Sequence, residues 1–189
     1  EWLLNLGLTY ETEPGMTAFL SYNQGYGMPD VGRVLRGINE PGRDVDSFLN
    51  LQPIVTDNFE LGIRKSSHRF SAAISIFYSK SDLGSRLSAD ADGIYFVNRE
   101  KTAIYGLEAS TSFRVNDNDI LDARFAAVEG RSDQDGDGNL DTRLDGNNIP
   151  PVRLNLGWSR EWNDHLSTRL QSSSLFNRDN PGAGSANDF

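Results

Sequence analysis

The sequence predicts an all-β fold: an arc of antiparallel transmembrane β-barrel strands, joined by short turns at one end and long loops at the other. Three observations predict it. Apolar and polar residues alternate over many segments of similar length, the links between segments alternate between short and long, and aromatic residues gather at segment ends. Side chains on a strand point in turn to its two faces, so a strand between hydrocarbon and a wet interior must alternate.

The first segment carries Trp2, Leu4, Leu6, Leu8 and Tyr10 on one face and Asn5, Gly7 and Thr9 on the other. Met16, Ala18, Leu20 and Tyr22 follow, opposed by Thr17, Ser21 and Asn23. Phe59, Leu61 and Ile63 oppose Glu60, Gly62 and Arg64. Phe70, Ala72, Ile74, Ile76 and Tyr78 oppose mostly serines. The clearest segment sets Tyr105, Leu107, Ala109, Thr111, Phe113 and Val115 against Gly106, Glu108, Ser110, Ser112 and Arg114. Leu121, Ala123, Phe125 and Ala127 oppose Asp122 and Arg124, and Val152, Leu154, Leu156 and Trp158 oppose Arg153, Asn155 and Gly157. A weaker segment runs from Leu166 to about Leu175. That makes about eight strands, each near the ~10 residues of a transmembrane β-segment. The apolar positions carry no charge. A charge facing lipid at mid-bilayer costs roughly 2–4 kcal/mol, so the apolar face is expected to meet hydrocarbon.

The short links are Glu11 to Gly15, Lys65 to His68, Asn116 to Asp119 and Glu161 to His165. The long ones are Gly27 to Thr56, Lys80 to Thr102 and Glu129 to Pro151, expected on the extracellular side. Tyr22, Tyr78 and Tyr105 fall beside long loops, and Tyr10, Phe113 and Trp162 beside short turns, as two interfacial girdles would require.

Composition excludes several classes. No apolar run approaches the ~20 residues of a membrane helix. There are no cysteines, which removes disulfides and thiolate chemistry, and the net charge of -9 argues against a nucleic-acid partner. The two histidines, His68 and His165, lie in or beside short turns, far apart in sequence and on the expected periplasmic side, so no enzyme is expected. Residues 1–189 read as a partial barrel domain, because both ends look cut.

The ordered series Leu6-Gly-Leu-Thr-Tyr10, Pro14-Gly15, Ser21-Tyr-Asn-Gln-Gly25, Pro29-Asp30, Thr56-Asp-Asn-Phe-Glu-Leu-Gly62, Phe77-Tyr78, Ile104-Tyr-Gly-Leu-Glu-Ala109, Asp145-Gly146, Ile149-Pro-Pro151 and Arg153-Leu-Asn155 resembles the C-terminal barrel region of TonB-dependent siderophore receptors. The resemblance implies a barrel of roughly twenty-two strands with a plugged lumen, set in the bacterial outer membrane. It implies uptake of a ferric siderophore, and TonB acting through an N-terminal region that this chain lacks, as it lacks the terminal strands. Outer-membrane lipid is then a further partner. The alternatives are a non-transporting outer-membrane barrel, adhesin or porin-like, and a soluble calcium-binding β-domain.

Candidate ligand contacts sit in the first two long loops: Tyr26, Arg33, Arg36 and Arg43, then Arg86, Tyr95, Arg99 and Lys101. Arginine and tyrosine suit oxygen-rich anionic ligands. In the third loop, Asp133, Asp135, Asp137, Asn139 and Asp141 follow the spacing of a calcium loop, with Gly138 where such a loop turns sharply. Position twelve is Leu144 in place of a glutamate, and no flanking helices are expected. Hard oxygen ligands of this kind can hold Ca²⁺ weakly; the plain reading is an acidic surface loop. No other cofactor is expected.

Overall fold

A computed structural model describes residues 2–28, 53–89 and 95–176. Among them nine antiparallel strands form one sheet: β1 (Asn5–Glu13), β2 (Met16–Gly27), β3 (Ile54–Ser66), β4 (Phe70–Ala89), β5 (Tyr95–Arg114), β6 (Asp119–Ser132), β7 (Thr142–Arg143), β8 (Arg153–Asn163) and β9 (Leu166–Leu175). They pair in chain order as a meander, with the two-residue β7 resting beside the top of β6. The eight expected strands are all present. The first begins at Asn5 rather than Trp2.

Local chemistry sets the turns. Pro14-Gly15 closes β1 onto β2, with Gly15 at φ +76°, a left-handed conformation that glycine adopts without penalty. Asn116 Oδ1 accepts from the backbone N–H groups of Asn118 and Asp119, both at 2.9 Å, and so folds the β5–β6 turn on itself. Asn163 Oδ1 accepts from His165 N at 2.9 Å in the last turn.

Register joins the alternating faces across the sheet. Leu8, Leu20, Leu61, Ile76, Leu107 and Ala127 form one cross-strand row of the apolar face. Nearer the long connections, Leu6, Tyr22, Phe59, Tyr78 and Tyr105 form another, with the Tyr22 and Phe59 rings 4.8 Å apart. Beyond it the face turns polar at Gln24, Asp57 and Lys80. There Asp57 accepts from the Tyr22 hydroxyl at 2.7 Å and from Gln24 Nε2 at 3.1 Å. At the turn end Phe70, Phe113, Leu121 and Trp158 share a row, and the Trp158 indole donates to Asp119 at 2.9 Å. The expected band beside the long loops, Tyr22, Tyr78 and Tyr105, is thus one row of the sheet, whereas Tyr10, Phe113 and Trp162 of the expected turn-side band do not share a row.

Among the described residues, no other element covers this apolar face. Leu8, Leu61, Ile76 and Leu170 are 52–65% exposed, and the buried apolar residues among those described are Ala103, Leu144 and Ile149 alone. The opposite, polar face curves inward: residues from β2 through β8 line common hollows on it. Glycine shapes that wall where an aromatic ring crosses it. A Cβ on Gly106 would meet the Phe77 ring at 2.8 Å, and the Phe19 ring lies over Gly62 in the same manner.

The second long connection differs from expectation. The stretch Lys80 to Thr102 is not an open loop. β4 and β5 remain paired from Gly84↔Glu100 to Ala89↔Tyr95, past a bulge between Ser81 and Gly84. Its polar composition hides the strands from an apolar-alternation reading, because above the girdle neither face need be apolar.

The assignment of faces has a direct test. In the intact barrel, Ile74→Arg on the apolar face is expected to cost roughly 2–4 kcal/mol, while Ser112→Arg on the polar face stays within about 1 kcal/mol. Urea unfolding in lipid vesicles measures both, and equal costs would show that the faces are misassigned.

Candidate functional site: the polar wall and its upper rim

Near the long connections the polar wall carries a neutral hydrogen-bonded ladder. Ser79 Oγ donates to Asn58 Oδ1 at 2.6 Å, and Asn58 Nδ2 donates to Asn23 Oδ1 at 3.1 Å, linking β4, β3 and β2. Above it, Ser81 Oγ donates to the Val55 carbonyl at 2.6 Å. The ladder spends its own donors and acceptors inside the wall, which fixes the geometry of the rim.

The expected ligand contacts fall into three groups. Tyr26 lies in β2, exposed, its hydroxyl 3.3 Å from Met28 Sδ. Arg33, Arg36 and Arg43 lie outside the described residues. The other four sit on the extended β4–β5 hairpin and are not gathered into one place. Arg86, on the polar side, forks onto both carboxylate oxygens of Glu100 and also reaches Ser88 Oγ. Both partners of that pair are largely shielded, with side chains 18% and 11% exposed. Tyr95 opens β5. Arg99 and Lys101 alternate with Thr102 and Glu100, so they stand on the side of Ala103 and Tyr105, away from the polar wall. Lys101 Nζ donates to the Gly138 carbonyl at 3.3 Å.

The acidic third loop is folded. Asp133 Oδ1 accepts from Gly136 N at 2.8 Å and Oδ2 from Gly138 N at 2.9 Å. Gly136 and Gly138 have φ of +75° and +93°, which explains why glycine stands at both. Oxygens of Asp133, Asp135 and Asp137 lie within 4.8 Å of one another. Asp141 is not in that group; it accepts from the Thr142 hydroxyl at 3.2 Å. Asn139 turns its amide to Asp137 Oδ2 at 2.8 Å. Three of the five expected oxygen ligands are therefore together, and backbone N–H groups already occupy part of their capacity. Calcium takes six to eight oxygens, so backbone or solvent would have to supply the rest.

Two arrangements went unseen in the sequence. After β7 the chain folds over the polar face, where Leu144 and Ile149 bury against Gly130 and Leu144 N donates to the Gly130 carbonyl at 2.9 Å. Lower down, Arg169 of β9 reaches across β8 to Asp122 of β6 at 2.9 Å. Gly157 makes that possible, since a Cβ there would meet Arg169 Nη2 at 2.6 Å. In both cases the available signal was a glycine at an inward strand position, a mark of close approach.

Asp137 supplies a pH test of the folded loop. The Asn139 backbone N–H, then its side-chain amide, then Lys101, hold the Asp137 carboxyl below its ordinary 3.8. A carboxylate lowered in this way contributes order that is complete above the ordinary value and lost as pH falls through the lower, folded one. The Asn139 amide resonance is therefore expected to titrate with a midpoint below 3.8, and Asp137→Ala to abolish the transition. A midpoint at or above that value would mean that the contact is not held in solution.

Residues 1–188 match the family model described as TonB dependent receptor-like, beta-barrel. A ferric aerobactin receptor of Escherichia coli is 27% identical over 190 residues, covering 93% of this chain and 25% of that protein. The ferric aerobactin receptor of Klebsiella pneumoniae gives the same figures. The chain thus spans about a quarter of the length of these relatives. Among solved structures, the copper transporter OprC superposes with a TM-score of 0.75 at 17% identity, over 95% of this chain and 27% of that one. FpvA of P. aeruginosa, bound to a pyoverdine–iron complex, gives 0.62 at 17% identity over 89% and 22%. These likenesses show the fold. With the family match running the whole length of a sheet whose apolar face lies bare, this chain belongs to the TonB-dependent receptors, as part of their β-barrel.

Proposed function

We propose that the protein carrying this chain is a bacterial outer-membrane transporter of a ferric siderophore, and that residues 1–189 supply part of its barrel wall and vestibule. The family match over residues 1–188 carries this reading, and the family is one of transport receptors rather than enzymes. The curated relatives named as ferric aerobactin receptors support iron as the cargo. The barrel does no covalent chemistry. Its strands close their backbone hydrogen bonds on one another, which lets them stand in hydrocarbon, and its rim gathers ligand. A plug and a TonB-contacting segment outside residues 1–189 would then supply the energised step.

Within the rim, the β2–β3 connection is assigned to ligand on the residue types of Arg33, Arg36 and Arg43. Tyr26, which precedes them, is exposed and stands on the same side of the sheet as Leu20 and Tyr22. Arg86 has its guanidinium engaged by Glu100, and Lys101 braces the acidic loop. These two are assigned to holding the rim in shape, and Arg99 stands on the same side of the hairpin as Lys101.

Tryptophan fluorescence of the intact protein titrated with ferric hydroxamates and ferric polycarboxylates tests the reading. Saturable quenching by at least one chelate is expected, weakened about tenfold or more by Arg33→Ala combined with Arg36→Ala, the loss of two charge-assisted contacts. Arg86→Ala should change affinity less than about threefold, because its partner is Glu100 rather than ligand. No quenching by any iron chelate would remove iron uptake from consideration.

A further inference from the structure

The outward face of the sheet changes character just past its tyrosine row. Register places Gln24, Asp57, Lys80, Ala103, Arg131 and Arg143 in the next cross-strand row, from β2 to β7. Lys101, which precedes Ala103 on β5 at the same parity, shares that side. Lys80, Lys101, Arg131 and Arg143 thus stand just beyond the exposed rings of Tyr78 and Tyr105. This is the face away from the bore, so nothing that fills the bore covers it. No absent strand covers it either. β4, β5 and β6, which carry Lys80, Lys101 and Arg131, have neighbours on both sides within the sheet.

The acids beside these cations are mostly engaged already. Asp57, opposite Lys80, accepts from the Tyr22 hydroxyl and from Gln24. Glu129 takes the fork of Arg143 at 2.8 and 2.6 Å. Asp137, beside Lys101, has its oxygens turned to Asn139. Asp82, exposed in the β4 bulge, makes no ion pair among the described residues. The cations are less committed. Lys80 is exposed and makes no hydrogen bond or ion pair among the described residues. Lys101 gives one N–H to the Gly138 carbonyl and Arg131 one to the Asp141 carbonyl, both at 3.3 Å. Those acceptors are backbone oxygens rather than carboxylates, and each side chain keeps further donors.

Height selects the partner. Just past an aromatic girdle a membrane barrel meets lipid headgroups. Ammonium and guanidinium groups there donate charge-assisted hydrogen bonds to phosphate oxygens. A soluble anion is disfavoured, because from water it first meets the loop where oxygens of Asp133, Asp135 and Asp137 gather. A lipid phosphate arrives along the membrane plane, beneath that loop.

We propose that Lys80, Lys101 and Arg131 form a docking site for the phosphate of an outer-leaflet lipid, on the outside of the wall just beyond Tyr78 and Tyr105. The site rests on the outer-membrane placement proposed above and is independent of the cargo. It pins a headgroup against β4, β5 and β6, at the foot of the acidic loop.

Lipid A in detergent micelles is the probe, beside its fully dephosphorylated form and inorganic phosphate. Native mass spectrometry of the intact protein is expected to show saturable retention of lipid A, and about fivefold less of the dephosphorylated form. Lys80→Ala combined with Arg131→Ala should weaken retention about tenfold. Lys80→Arg combined with Arg131→Lys should stay within about threefold of wild type, and Arg124→Ala on the opposite face should change nothing. Heat-shifted mobility on gels reports folding of each variant. Equal retention of the two lipid forms, unchanged retention by the alanine pair, or displacement of lipid A by millimolar inorganic phosphate overturns the site. Membrane fractionation of cells is scored separately. A protein found outside the outer membrane removes the placement itself. One found there whose alanine pair keeps lipid A undiminished removes the docking site alone.

Discussion

Everything in this structure follows from a sheet that has almost no protein core. Leu144 and Ile149 are buried by one connecting segment, whereas the leucines and isoleucines of the strands stand bare on the outer face. In water such a surface would be untenable: exposed apolar patches on soluble monomers rarely exceed a few hundred Å². In hydrocarbon the same surface costs nothing, and the constraint moves to the backbone. Every N–H and C=O within the bilayer must be paired, which strand-to-strand register accomplishes from β1 to β9. The hydrophobic effect therefore does not hold the sheet together from inside. It selects which face looks out.

Freed from filling a core, the inner face can carry polar and charged groups at positions that a soluble sandwich would reserve for valine or leucine. It organises them by using glycine as clearance. Phe19 and Phe77 lie across Gly62 and Gly106, and the Asp122–Arg169 pair crosses above Gly157. Each of these lets one side chain span a neighbouring strand, so strands are tied at second-neighbour distance as well as by their backbone ladders. A methyl at any of the three would push the spanning group off the wall.

Much of this was legible in the sequence, and the reason is the strictness of period two. A bilayer permits no charge on one face over the whole hydrophobic height, so Leu107, Ala109 and Phe113 declare their side without ambiguity, and register then carries that parity across to Leu121 and Ala127. Legibility stops where the bilayer stops. Above the girdle the alternation signal vanishes, and the paired ends of β4 and β5, from Gly84↔Glu100 to Ala89↔Tyr95, read as a loop. The candidate site suffered for the same reason. Its residue types were visible, but Arg86 facing Glu100 and Lys101 facing Gly138 are facts of pairing that only strand geometry reveals. In the acidic loop, spacing could show neither that Asp133, Asp135 and Asp137 lie together while Asp141 stands apart, nor that backbone N–H groups already engage Asp133 and Asp137.

The vertical distribution of charge on the polar wall separates two kinds of polar residue. At the rim, Asn23, Asn58 and Ser79 satisfy one another, and Arg86 is answered by Glu100. Groups so satisfied build a rigid surface and present little net field. Toward the turns Asp122 is drawn to Arg169 over Gly157, while Arg124 and Arg153 make no ion pair among the described residues. An exposed arginine in a wet bore costs little to keep, so stability alone neither requires nor forbids it.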